Sequence, residues 1–148
     1  MRISRWKDKL KRFGALDAAD KWLFLRAVAW LAVARIMLIA MPFRRLAEKL
    51  SSRKKSVSSE ADPAVLSSVT WAISAAANNV PWRSDCFPQT IAARKLLRKH
   101  GYESTIHIGV ERVGDSDLAG HAWLTCGEVV VTGGNDLDRY TELHTLTA

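Results

Sequence analysis

The sequence predicts an α+β fold, with helices first and an antiparallel sheet after them, and three observations carry that expectation. Apolar residues recur at helical spacing through Leu16 to Met41 and again at Val65, Leu66, Val69 and Ile73. Proline, aspartate and glycine punctuate these stretches: Pro42 after the first, Asp62-Pro63 before the second, and Gly101 at the end of a third. Beyond Gly101 the pattern changes to short β-type runs at 105–110, 121–126 and 129–132. Helices kept apart from an antiparallel sheet make an α+β architecture.

At 148 residues the chain has the length of one domain. Its hydrophobic fraction of 48% and charged fraction of 25% exclude a fully disordered protein, a collagen-like repeat and a multi-domain machine. Two cysteines, Cys86 and Cys126, exclude a disulfide-dense secreted scaffold and a four-thiolate zinc site. A reduced, cytoplasmic setting fits them, and no metal or other cofactor is expected. The net charge of +7 is unevenly placed. Residues 1–55 hold 15 Lys/Arg against 4 Asp/Glu, whereas residues 56–148 hold 7 against 11. The basic first third suits nucleic acid, anionic lipid or an acidic protein partner, and charge alone does not choose among them.

The opening from Met1 to Phe13 is short and basic. In the helical pattern from Leu16 to Met41, Asp17 and Asp20 stand near the start, where carboxylates suit the positive dipole end. Arg26 and Arg35 interrupt the apolar run, leaving pieces shorter than the ~20 residues that cross a bilayer. At ~100° per residue the two arginines point to opposite sides, so one needs a partner or a snorkelling route. The helix reads first as buried scaffold, with a membrane-surface helix and, last, a true membrane span as the alternatives. Pro42 ends or bends it. The polar, Ser-rich run from Ser51 to Glu60 reads as a solvated linker or a frayed helix end.

Asp62 suits an N-cap and Pro63 the first helical position of a second helix, which runs to about Asn78-Asn79 and stops before Pro81. A third spans about Asp85 to His100, with Gly101 as its left-handed cap. In the sheet, Gly127-Glu128 reads as a tight hairpin turn. Its register sets Cys126 opposite Val129, Thr125 opposite Val130, Trp123 opposite Thr132 and His121 opposite Gly134. A last short strand is expected at 139–144.

Cys86 is the candidate nucleophile. A thiol at a helix start sees unpaired N–H groups and the positive dipole end, which favour thiolate, although the neighbouring Asp85 opposes this. Among the four histidines only His121 follows a glycine-bearing loop and opens a strand, so it is the candidate base. His100 reads as a helix-end cation, His107 as core or edge, and His144 as part of a polar tail. A third group must orient the imidazole. Asp136 is the nearest carboxylate along the returning strand, with Asn135 and Asp138 behind it. Cys126 falls on the opposite strand face from His121 and reads as core. Trp82 and Arg83 precede the nucleophile and are candidate substrate-binding residues.

These residues also carry a family resemblance. The stretch from Pro81-Trp-Arg-Ser-Asp-Cys86-Phe-Pro-Gln to Gly101 resembles the cysteine-bearing helix of lasso peptide biosynthesis B proteins, of the transglutaminase-like cysteine protease superfamily. Gly120-His121-Ala-Trp-Leu, Val129-Val-Val-Thr-Gly-Gly134 and Asp138-Arg-Tyr-Thr-Glu-Leu143 are similar to that family's histidine strand and tail. The helix ending Met41-Pro-Phe-Arg-Arg-Leu46 resembles the N-terminal part of the stand-alone protease form. The resemblance implies a catalytic helix packed on an antiparallel sheet, in a transglutaminase/papain-like core at 61–148 that follows a basic, apolar helical region and linker at 1–60. It implies a leader peptidase acting on a ribosomal precursor peptide, with Cys86 as nucleophile and His121 as base. Some members place an aspartate about twelve residues after the histidine, where this chain has Gly133, so Asp136 would have to serve. The strand-containing recognition module of fused forms has no counterpart in the pattern of 1–60. A separate precursor-recognition protein and a lasso cyclase are therefore the expected partners, with peripheral membrane contact as a further expectation and nucleic acid not expected. Two rival readings are acyl transfer to an amine and a non-catalytic scaffold in a membrane-associated complex.

Overall fold

Local chemistry sets the helix ends. The computed structural model describes residues 11–51 and 60–147. The expected linker and domain boundary near residue 60 involve residues 52–59, which lie outside the described residues. Residues 11–15 are helical. Helix α1 (Ala18–Ala40) starts where the Asp17 carboxylate accepts the Asp20 backbone N–H at 2.7 Å, an N-cap bond worth ~1 kcal/mol. It ends at Met41, before Pro42. The break at Pro42 is followed at once by a separate helix, α2 (Phe43–Ser51), which buries Leu46 and Leu50. Helix α3 (Pro63–Ala77) has Asp62 accepting the Ala64 N–H at 2.8 Å, with Pro63 in the first turn. Helix α4 (Cys86–Lys99) ends at His100, and Gly101 follows with φ +80°.

The sheet is antiparallel, in the order β3-β2-β1-β4. Its strands are β1 (Thr105–Val113), β2 (Asp117–Cys126), β3 (Val129–Thr132) and β4 (Thr141–Thr147). The observed architecture is thus α+β, with four labelled helices and one antiparallel sheet. Strands β1 and β2 run longer than the apolar pattern, because their polar ends pair with each other from Val110↔Gly120 to Val113↔Asp117. The hairpin register is corrected in one respect. Cys126↔Val129 and Thr125↔Val130 pair as expected, but an irregularity at Leu124/Thr125 puts Thr132 opposite Leu124 instead of Trp123. A bulge inserts one unpaired residue and shifts all later pairings. Strand β3 stops there, so no ladder partner stands opposite His121 on that side.

One core joins both halves of the chain. Ala27, Leu31 and Ala34 of α1 pack with Leu66, Val69 and Ile73 of α3 and with Ile91, Leu96 and Leu97 of α4. Burying each large aliphatic side chain contributes ~1.5–3 kcal/mol. Ile106, Leu124, Cys126, Val131 and Leu146 supply the sheet's side of the core. The buried Arg94 guanidinium ties α4 to the sheet, donating through Nη2 to the Ser104 carbonyl at 3.2 Å and the Leu146 carbonyl at 3.0 Å. Its burial without a carboxylate, with Arg98 nearby, lowers its pKa to about 10.

Candidate active site

Cys86 is the first residue of α4 and is half-buried. Asp85 stands at the N-cap in extended conformation, yet its carboxylate takes no cap hydrogen bond. It lies instead 3.5 Å from the Arg83 guanidinium. The first-turn N–H groups are therefore not filled by the N-cap side chain, and Pro88 contributes none. Gln89 donates from Nε2 to the Ser84 carbonyl at 2.7 Å, which fixes the loop entering the helix. Arg83 is exposed and Trp82 half-buried, and the Trp82 indole N–H has no partner among the described residues.

His121 lies in β2 and is half-buried. Its Nε2 stands 2.7 Å from the Gly133 carbonyl oxygen. A carbonyl only accepts, so Nε2 carries the proton, and the neutral ring keeps its lone pair on Nδ1. Tyr140 stacks on the imidazole at 4.6 Å between ring centroids, and Trp123 lies at 6.1 Å. Arg139 pins the Tyr140 segment to β1, donating from Nε to Glu111 at 2.8 Å. That bond is the main reason the Arg139 pKa is raised, followed by the charge of the same carboxylate and, after a small opposing desolvation, the charge of Asp136.

Gly133 explains why no side chain orients the ring from this position. Its φ is +73°, and a Cβ there would meet the Ala122 carbonyl oxygen at 2.5 Å and the Trp123 Cα at 3.0 Å. The backbone instead passes close enough for its own carbonyl to reach His121. The orienting contact expected of Asp136 is made here by Gly133. Asp136 itself is exposed, with φ 53°, at the start of a short 3₁₀ turn (Leu137–Arg139), and no hydrogen bond joins it to His121 among the described residues.

The same sheet face carries a second histidine. His107 shares Nδ1 with Glu142 at 2.5 Å and Nε2 with Thr125 Oγ1 at 2.9 Å, and it stacks flat on Trp123 at 5.2 Å. Gly109 leaves room for that indole, since a Cβ would lie 3.0 Å from its ring. Sequence reasoning missed this network, and also Tyr140 and the Gly133 carbonyl. The Gly133-Gly134 pair was a signal for close backbone approach; Tyr140 lay inside the tail segment 138–143 that carries the resemblance, but no role was read for it.

The other cysteine is separate from this site. Cys126 is buried, its Sγ 3.2 Å from the Glu103 carbonyl oxygen, and burial pushes its thiol pKa up. Strand alternation turns Leu124 and Cys126 toward the helices and His121 and Trp123 to the opposite face. For sulfur and imidazole to meet, the start of α4 must reach His121 around the open edge of β2. Among the described residues no three His, Cys, Asp or Glu side chains gather as a metal site. A groove of about 680 Å³ runs between α3 and β3, lined by Leu66, Thr70, Trp71, Val129 and Val130, away from Cys86 and His121.

A half-buried cysteine opening a helix, a sheet beside it and a histidine on the adjoining strand agree with one comparison. A family profile described as the transglutaminase-like superfamily matches residues 25–145. The chain belongs to the transglutaminase-like superfamily. This superfamily includes cysteine peptidases and acyltransferases. The superfamily match begins inside α1, consistent with the shared core of α1, α3 and α4. Comparisons with curated proteins and with solved structures give no match.

Proposed function

We propose that this transglutaminase-like protein is a cysteine peptidase that removes the leader from a lasso peptide precursor. The observation that carries the catalytic part is the contact of His121 Nε2 with the Gly133 carbonyl oxygen. With Nε2–H held by the Gly133 carbonyl at 2.7 Å, Nδ1 is the nitrogen able to take a proton from a thiol. In this reading Cys86 is the nucleophile and His121 the base, with the Gly133 carbonyl in the orienting role sought for Asp136. Helix α4 packs on β2, the strand that carries His121, although on its other face. The helix is about 21 Å long, and its C-terminal part is fixed near the start of β1 by Arg94. In this reading its N-terminus comes round to the half of β2 that holds His121.

The Cys86 sulfur, having given its proton to His121, attacks the carbonyl carbon at the end of the leader. Negative charge collects on the carbonyl oxygen, and in this reading the Cys86 backbone N–H at the start of α4 donates to it. The C–N bond breaks as His121 returns the proton to the departing amine, leaving a thioester. Water, deprotonated by the same imidazole, releases the leader acid and restores the thiol. Trp82 and Arg83, on the loop entering α4, line the approach for the peptide. The resemblance in the two site segments supports the lasso assignment, with a separate recognition protein and a cyclase as partners and a cytoplasmic setting, peripheral to membrane.

The test is mass spectrometry of a precursor peptide incubated with the full chain and a recognition partner. Release of separate leader and core by wild type, and none by Cys86→Ala, is the expected result. Transfer of the leader to an added amine in place of hydrolysis would instead establish acyl transfer. Full cleavage by Cys86→Ala would remove the thiol from the mechanism.

A further inference from the structure

Helix α1 buries one side and exposes the other, and both sides are apolar. Ala27, Leu31 and Ala34 face the core. On the opposite side Trp22 is 64% exposed, Leu25 51%, Ile36 62% and Ile39 74%. At ~100° per residue these four fall within an arc of about 100°, centred opposite Ala27 and Ala34. No Asp or Glu lies on that arc; Asp17 and Asp20 are confined to the helix start. Phe43, 56% exposed, continues the stripe into α2.

Basic groups border it. Arg26 and Arg35 flank the arc on either side, and the exposed Arg44 and Arg45 follow its C-terminal end. Residues 11–51 carry 8 Lys/Arg against 3 Asp/Glu, while the part of the chain after residue 55 is net acidic. Beside Trp22 a cleft of about 330 Å³ between α1 and α3 is lined by Arg26, Asp20, Ser68 and His100. Arg26 Nε and Nη2 are buried there without a hydrogen-bond partner among the described residues.

We propose that this face docks on an anionic lipid bilayer, with α1 lying in the plane of the interface. Apolar side chains insert between headgroups, and Arg35, Arg44 and Arg45 meet lipid phosphates, whereas Arg26 stays in its cleft. Charge complementarity selects this occupant: the basic segment turns toward the lipid and the acidic half turns away. A spanning orientation is inconsistent with a helix whose other side is committed to α3 and α4. Phe43 packs on Phe87 at 6.0 Å, beside Cys86, so docking would hold the start of α4 close to the membrane surface. The proposal does not depend on the peptidase reading.

The test is co-sedimentation of the full chain with vesicles of phosphatidylcholine, alone or with one-third phosphatidylglycerol. Binding is expected to the mixed vesicles, weakly or not at all to the neutral ones, and to fall at high salt. Trp22→Ser/Ile36→Ser/Ile39→Ser changes exposed residues only, and should lower partitioning by about tenfold or more with unchanged circular dichroism. Arg44→Gln/Arg45→Gln should lower it roughly tenfold. Failure of wild type to bind the mixed vesicles overturns the proposal, as does undiminished binding by the triple serine variant. So does a wild-type dimer that the serine changes dissociate, since a second copy would then cover the face. Retention on the membrane through alkaline carbonate extraction would also overturn it, in favour of a spanning helix.

Discussion

Replacing Gly133 with alanine tests whether the backbone there holds the histidine. Three costs add. The residue has φ +73°, and an L side chain in left-handed conformation costs roughly 1–2 kcal/mol. The new Cβ would lie 2.5 Å from the Ala122 carbonyl oxygen and 3.0 Å from the Trp123 Cα. Both are backbone atoms, so no rotamer change relieves the overlap, and repacking costs about 1–3 kcal/mol. The His121–Gly133 hydrogen bond, ~1 kcal/mol, is strained or lost in the process. The total is about 3–6 kcal/mol. Gly101→Ala is the matched control: its φ is +80° and no atom lies within 4 Å of an added Cβ, so it carries only the conformational cost of roughly 1–2 kcal/mol. Urea unfolding followed by circular dichroism should therefore separate the two by about 2 kcal/mol or more. Where Gly133→Ala remains folded, displacement of the imidazole should lower peptide cleavage on the order of 100-fold. Equal stabilities of the two variants, or full cleavage by folded Gly133→Ala, would refute this reasoning.

Three further outcomes are expected. Leu31→Ala, at a fully buried position of α1 facing α3 and α4, should cost about 2–5 kcal/mol in urea unfolding; a negligible effect would show that α1 is not part of the core. Native protein treated with iodoacetamide at pH 8 should be modified at Cys86 and not at Cys126, counted by mass spectrometry, with both modified after denaturation. Burial raises the Cys126 pKa, so the fold favours its thiol form, and the stability this contributes is lost as pH rises through that raised value; equal native labelling of both cysteines would contradict this. Asp136→Ala should keep cleavage within about threefold of wild type, because the ring's recorded partner is the Gly133 carbonyl; a loss as large as that of His121→Ala would restore Asp136 to the orienting role.

Much of the fold was legible because its signals are local. Asp17, Asp62 and Gly101 act within a few residues of themselves, and each stands at the helix end it was expected to mark. The start of α4 at Cys86 was readable for the same reason. Helix α2 was not, since the polar run after it masked a nine-residue amphipathic stretch whose Leu46 and Leu50 are buried against distant elements. Strand pairing failed beyond Thr125 because a bulge leaves no mark in a run of valines. That single shift matters most at the site. It ends β3 before His121 and brings the backbone of Gly133, not a carboxylate, against the ring. Contacts such as Tyr140 on His121 and Glu142 on His107 join residues 19 and 35 positions apart, and side-chain pattern alone does not encode them.

The most direct test of the account is whether the imidazole at 121 acts on the sulfur at 86. Alkylation of Cys86 by iodoacetamide at pH 6, read by mass spectrometry, should be at least about tenfold faster in wild type than in folded His121→Ala. Identical rates in the two proteins would mean that the histidine does not activate the cysteine, and the catalytic pairing would fall.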